Sequence, residues 1–390
     1  MLIKKTQLKT ILLCSVLALN GCNNQNESSP EDSKNGGAVQ LKGSTSPYTS
    51  LSTSNKLLLI GGSGGLKLAN LNTENRTSGF NVPTFQSKET QNRSSNSDDV
   101  KIYTLAEQSD GKIIIAGNFG YINGKKANSI IRINQDGSVD GTFMPENNGF
   151  NGEVYHIEIL NDNTILVGGY FNKIDDEDIS QGLVKLNIDG TVNTVYSELN
   201  TYDRAVVNDF EVIDNKIFLT GSFVSETNGE YSERALLAIN STNSLDDIFN
   251  KKVNSILGTG YKILKKDNNL IVAGAFENSL SNILKLNLNG DIDSSFHLND
   301  IQGFIFDIEY KDDTLIVAGD FIFDEDGVTK RGLAIFKNNK LLKLSNLDIK
   351  ADIYDINTFG DKVILLGEGN YSVNNKNYAN SIMLDREVIQ

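Results

Sequence analysis

Seven short apolar runs, each closed by glycine, recur along this chain. They lie at 57–62, 113–117, 165–169, 217–221, 270–274, 315–319 and 363–367, and their final glycines are 55, 52, 52, 53, 45 and 48 residues apart. In the five middle units a phenylalanine follows the glycine by two positions: Phe119, Phe171, Phe223, Phe276 and Phe321. The first and last units carry Gly64 and Gly369 there instead. Runs this short, rich in β-branched residues and without a 3.6-residue period, predict strands. No helical period occurs anywhere after the first 22 residues, so no helix is expected there.

A second periodic position precedes each glycine by 13 or 14 residues: Tyr48, Tyr103, Tyr155, Asn208, Tyr261, Phe306 and Tyr354, six of the seven aromatic. A third run follows each glycine, as in Ile130-Ile-Arg-Ile133 and Leu183-Val-Lys-Leu186. Most of these runs end in Asn and enter a turn such as Asp136-Gly137, Asp189-Gly190 or Asn289-Gly290, pairs that favour the positive φ of hairpin turns. A weaker fourth run is clearest at 139–143 and 292–296. Each unit of about 50 residues therefore offers three or four antiparallel strands. One such sheet cannot bury both faces alone, whereas seven can by stacking around an axis. The expected fold is all-β, a seven-bladed β-propeller over 45–390, which also keeps sheet edges short and protected.

The stretch Gln108-Ser-Asp-Gly-Lys-Ile-Ile-Ile-Ala-Gly-Asn-Phe119, followed by Ile131-Arg-Ile-Asn-Gln-Asp-Gly-Ser-Val-Asp-Gly-Thr-Phe143, resembles the delta-60 repeat of bacterial surface and secreted propellers. The resemblance is good again over 270–296 and partial elsewhere; the sixth unit lacks the Asp-Gly turn and the seventh stops soon after its third strand. It implies a propeller. It implies no activity and transfers no catalytic residues.

The amino terminus has a different pattern. Lys4, Lys5 and Lys9 precede an apolar run at 11–19 and the sequence Leu19-Asn20-Gly21-Cys22. A span this short cannot cross a bilayer as a helix and fits a cleaved signal over 1–21. The last four residues resemble the lipobox of bacterial lipoproteins. That resemblance implies acyl chains on Cys22, a lipid-bilayer partner held through them, and an outer-membrane address, because Asn23 rather than Asp follows. Residues 22–44 are polar and read as a flexible tether. Within it, 38–42 is expected to pair with the outer edge of the last blade, which lacks a fourth strand of its own. The alternatives are that 386–390 supplies that strand, or that nothing does.

Cysteine usage agrees with this division. Cys14 would leave with the signal and Cys22 would be acylated, so the folded domain has no disulfide and stands on packing alone. The chain holds 36 basic and 50 acidic residues. Loss of the signal removes three lysines and no acids, making the domain more acidic still. It would repel phosphate backbones, so nucleic acid is not an expected partner.

Candidate chemistry concentrates one step after the aromatic positions, at Thr49, Thr104, His156, Asp209, Lys262, Asp307 and Asp355. If the strand bearing them is innermost, these residues line a central channel, with Glu158, Glu211 and Glu309 on the same side two residues on. Such a channel could bind a small cation, sugar or peptide at its mouth, or simply hold water while its polar groups pair with one another. Enzyme signatures are sparse. The two histidines, His156 and His297, cannot make a histidine-based metal centre, and no metal is expected. Gly61-Gly-Ser-Gly-Gly65 ends a strand without opening a helix, so it is read as a turn, and no cofactor is expected. The acidic loops Asp175-Asp-Glu-Asp178 and Asp324-Glu-Asp-Gly327 do not complete a calcium loop and read as solvated connections.

The expected function is a membrane-anchored, non-enzymatic binding or scaffolding propeller of the cell envelope. Its partner would be a protein or small ligand on a propeller face or at the channel mouth. A carboxylate-dependent hydrolase of polysaccharide or peptide is the first alternative. A component of outer-membrane protein assembly is the second, though the propellers of similar length that do this resemble Trp-rich repeats and this chain has no Trp.

Overall fold

The computed structural model describes residues 38–41, 46–54, 57–69, 79–88, 100–144, 149–277, 282–296, 298, 301–311, 313–344, 347–360 and 362–385. The signal, Cys22, most of the tether and His297 lie outside the described residues.

Seven antiparallel blade sheets of three or four strands follow one another along the described residues, with two small sheets of two-residue strands beside them, Lys173–Ile174 with Glu177–Asp178, and Phe85–Gln86 with Tyr121–Ile122 and Lys125–Lys126. The inner strands of the blades are Pro47–Ser52, Lys101–Glu107, Glu153–Ile159, Arg204–Ile213, Gly258–Lys266, Gln302–Lys311 and Leu347–Phe359. Each inner strand pairs with the strand after it, and that strand with a third. Period-two alternation is what lets these blades stack. In Ile113–Asn118, Ile113 and Ile115 join the core shared with blade 1, while Ile114 and Ala116 join the core shared with blade 3. Seven apolar clusters result, one at each interface of neighbouring blades. The seventh joins the last blade to the first through Leu58, Ile60, Ile364, Leu366 and Met383, so the ring is closed by burial. Each fully buried Leu, Ile or Phe contributes about 1.5–3 kcal/mol, and no disulfide is needed.

Ala38–Gln40 adds a fourth strand to blade 7, with Ala38, Val39 and Gln40 opposite Leu384, Met383 and Ile382. The Gln40 side chain holds this edge: Nε2 donates to the Ala379 and Ser381 carbonyls at 2.6 and 2.7 Å, and Oε1 accepts from the Ala379 amide at 2.7 Å. Leu41 then enters the seam between first and last blades.

Two expectations are corrected. The fourth runs at 139–143 and 292–296 are not strands but single bridges, Ile133 to Val139 and Leu286 to Ile292. Asp140 and Asp293 end the pairing by accepting from the amide and hydroxyl two residues on, Thr142 and Ser295, which turns the chain inward. Phe143 and Phe296 are thereby driven into the cores. In blade 4 the corresponding segment is an α-helix, Asp247–Val253, although no helix was expected. Asp246 caps it by accepting from the Phe249 amide at 2.8 Å, and Phe249 and Val253, four apart, face the core. Two turns are too short to print a helical period. A 3-10 turn, Ser197–Thr201, occupies the end of blade 3.

The repeated glycine also has a tertiary reason. A Cβ at Gly117 would lie 2.0 Å from the Lys101 carbonyl oxygen, and at Gly169 it would lie 2.2 Å from that of Glu153. No larger residue fits where the second strand crosses the inner one.

Candidate binding site in the central channel

At each aromatic position the pairing of inner and second strands slips by one residue, for example between Ile102 and Thr104, Val154 and His156, and Ile353 and Asp355. All seven blades share this bulge, with Tyr48, Tyr103, Tyr155, Asn208, Tyr261, Phe306 and Tyr354 as the extra residues. A bulge bends the strand and re-aims the side chain. Here it leaves all seven residues half-buried on the innermost strands.

The aromatic members touch in series. Tyr354 contacts Tyr48 at 5.5 Å between ring centres, Tyr48 contacts Tyr103 at 5.5 Å, and Tyr103 contacts Tyr155 at 5.3 Å. On the other side Phe306 contacts Tyr261 at 5.6 Å and Tyr354 at 5.9 Å. Asn208 interrupts the series, its side-chain amide donating to the Gly260 carbonyl at 2.8 Å. Spacings of this kind on a seven-membered circle put the ring centres roughly 6 Å from the axis. Hydrogen bonds orient some of the phenols, Tyr103 to Glu153 at 3.4 Å and Tyr354 to Glu368 at 3.3 Å.

The residues that sequence analysis selected lie one step below this collar. Thr49 and Thr104 are buried and uncharged on blades 1 and 2. The other five gather on blades 3 to 7. His156 Nδ1 lies 3.3 Å from Asp209 Oδ1, and Lys262 Nζ sits between Asp209 and Asp307 at 3.6 and 3.7 Å. Asp355 lies beside Asp307 and Lys262, and its Oδ2 is buried without a hydrogen-bond partner.

Backbone chemistry explains the carboxylates. An inner strand is paired on one side only, so its channel edge exposes amides that need acceptors. Asp209 accepts from the Ile263 amide of the next blade at 3.0 Å, and Asp307 from Ile356 at 2.7 Å and from its own neighbour Ile308 at 2.9 Å. Glu211 similarly accepts from the Lys265 amide at 3.0 Å. These acids tie one blade to the next. Glu158 and Glu309, on the following layer, accept no such bond from the described residues.

Burial dominates the electrostatics. It lowers His156 towards the neutral form against the attraction of Asp209. Burial opposes the Lys262 ammonium, but Asp209, Asp307, Asp355 and Glu309 outweigh it and raise this lysine above its ordinary range. Asp307 and Asp355 are both raised by burial, Asp355 further because Asp307 adds repulsion. Burial, then Glu211 and Asp209, push Glu158 up to about 7. Glu309 is raised by burial and Asp307, and Glu211 by burial.

The acidic loops are hairpin turns. Asp175 and Asp176 take positive φ at the tip between Lys173–Ile174 and Glu177–Asp178, and Asp326 and Gly327 do so between two strands of blade 6. Asp175 accepts from the Gly149 amide at 3.1 Å and Asp324 from that of Gly327 at 2.9 Å. Among the described residues no group of three acids, histidines or cysteines is placed to hold a metal.

The aromatic positions are periodic in the sequence, but nothing in the sequence marks them as a site. Their spacing gave the signal; its meaning required the bulges, because a regular strand would have turned those rings towards a neighbouring blade.

The molecule is a β-propeller. Segments 108–143, 160–194 and 265–296 match the family described as domain of unknown function (DUF5122) beta-propeller. No curated protein matches the chain. Two crystal structures of the extracellular domain of BT4673 from B. thetaiotaomicron are similar, at 12% and 13% identity and a TM-score of 0.51 each, over 87% of this chain. This chain spans 40% of the length of those proteins. The WD40 β-propeller domain of Doa1 is similar at 12% identity and a TM-score of 0.46, over 88% of this chain and 95% of its own.

Proposed function

We propose that this chain is a lipid-anchored binding module of the cell envelope, with its ligand site at the aromatic mouth of the channel. The observation that carries the reading is the bulge repeated in all seven blades, which sets six aromatic side chains half-exposed around one axis. Ring closure by seven apolar interfaces makes the collar rigid, and a preformed site loses little conformational freedom on binding. The anchor rests on Leu19-Asn20-Gly21-Cys22, and an outer-membrane location follows from the same resemblance. The test is affinity capture from native membranes with the wild-type lipoprotein and a Tyr103→Ala/Tyr155→Ala variant in parallel. A ligand retained by the wild type and lost by the variant supports the reading. Identical captures reject it.

A second reading, a carboxylate-dependent hydrolase of polysaccharide or peptide, draws on one feature. Glu158 is held near neutral pH as an acid beside Glu211 and Asp209. Turnover of such a substrate, abolished by Glu158→Gln, would select it over binding alone.

A further inference from the structure

The collar opens onto a strongly acidic layer, and that pairing narrows the chemistry of the ligand. Below the rings, the second and third layers of the channel hold six carboxyl groups on blades 3, 4, 6 and 7. The ammonium seated among them is Lys262, between Asp209 and Asp307, with Lys265 beside Glu211 and Lys311 beside Glu309, while burial pushes His156 towards its neutral form. Lys262 shows what this wall accommodates: a primary ammonium on an alkyl stem. Asp209, Asp307 and Glu211 accept amides of the ring and Asp355 accepts from the Ser50 backbone of blade 1, which leaves Glu158 and Glu309 as the two of the six not tied to backbone among the described residues.

The shape of the collar excludes other classes. Neighbouring rings are inclined to one another by 33° to 70°, so they present no continuous flat platform on which a sugar ring could stack across several of them. An anion would enter against the acidic layer. Aromatic faces attract cations and pack well against methylenes. Three residues of strand separate the collar from Glu158 and Glu309, roughly 10 Å of channel, so the occupant must be narrow and elongated.

We propose that the channel mouth binds the end of an alkylammonium or alkylguanidinium chain, its methylenes gripped by the tyrosine collar and its charged head directed towards Glu158 and Glu309. This rests on the binding reading above and specifies its ligand. Both free amines and the Lys or Arg side chain of a peptide carry that chemistry.

Calorimetry on the purified full chain, followed in parallel by tyrosine fluorescence, tests it. The collar holds five of the 13 tyrosines and the chain has no Trp, so the signal is local. The probes are cadaverine, arginine amide, a blocked Gly-Lys-Gly peptide, glutarate and a neutral oligosaccharide. The cations should bind saturably with one site per chain. Glu158→Gln should weaken them about tenfold and Tyr155→Leu severalfold, with unfolding curves showing both variants folded. Binding at pH 7 should release a proton, read from the dependence of the heat on buffer, because a bound cation deprotonates Glu158. The charged groups facing Glu158 are Glu211 and Asp209 of the next blade; His156 lies two residues before it on its own strand, and Lys262 faces that histidine. Tighter binding of the peptide would identify a protein side chain as the source, and tighter binding of cadaverine a free amine. Equal binding of glutarate, or affinities unchanged in both variants, overturns the inference. Collar-dependent binding of the neutral oligosaccharide alone also overturns it while leaving the binding propeller standing. No collar-dependent ligand of any kind removes both.

Discussion

Arg132 is the most informative residue to remove, because its guanidinium organises the outer rim of blade 2. Nε donates to Asp140 at 2.8 Å, Nη1 to Gln108 at 3.1 Å and to the Ile188 carbonyl of blade 3 at 2.5 Å, and Nη2 to Thr142 at 3.2 Å. Its carbon centre lies 4.9 Å from the centre of the Phe143 ring. Arg132, Gln108 and Asp140 are all buried. Arg132→Met keeps most of the packing volume and deletes every one of these bonds. Asp140 then retains Lys112 at 2.9 Å but loses its bond to the buried partner. Removing one partner of a buried ion pair costs about 3–5 kcal/mol where the remaining charge is left uncompensated, and because Lys112 and Thr142 still face Asp140 the lower end of that range applies here. For a chain of this length, with a urea slope of about 3 kcal/mol/M or more, the midpoint should fall by about 1 M. Adding Asp140→Asn removes the buried charge that has lost its buried partner and leaves an oxygen for the Thr142 amide, so the double variant should regain part of the loss. Urea unfolding by tyrosine fluorescence and far-ultraviolet circular dichroism would measure both. A single variant within about 1 kcal/mol of wild type, or a double variant no more stable than the single, would refute the reasoning.

Two further outcomes follow from the same structure, and a third tests the proposed anchor. Leu41→Ala should destabilise the protein by about 2–5 kcal/mol, because Leu41 fills the seam between first and last blades; rapid proteolytic loss of the amino-terminal strand would accompany it. Glu158 has a folded pKa pushed up to about 7, so its protonated form is favoured by folding. Its contribution is present in full below the ordinary glutamate range and is lost as pH rises through that range to 7; Glu158→Gln should therefore flatten the decline of melting temperature over this interval, and an unchanged slope would place the effect on Asp307 and Asp355 instead. Cys22→Ser should move the protein from the membrane to the soluble fraction and abolish labelling by a palmitate analogue, and a variant that stays membrane-bound and labelled would contradict the anchor.

Much of the fold was legible because burial repeats. Gly117, Gly169 and their equivalents return about every 50 residues, and short continuous apolar runs such as Ile113–Asn118 specify strands buried on both sides, hence sheets needing a neighbour on each face. The fourth runs and the helix were less legible. Asp140-Gly-Thr-Phe143 reads as a strand, yet its carboxylate captures the backbone two residues on, and a local hydrogen bond overrides a pattern of alternation. Asp247–Val253 reached the helical state through one cap and two core contacts, too few to leave a period.

The sequence alone determined the number of units, the aromatic identity of six equivalent positions and the polar character of the residues beside them, since these depend only on which side chains recur. Tertiary structure decided where they point and what they do. Bulges turned the tyrosines towards a common axis, and unpaired amides on the inner strands recruited Asp209 and Asp307 as ties between blades. Both are consequences of edges that exist only once the sheets have assembled into a ring.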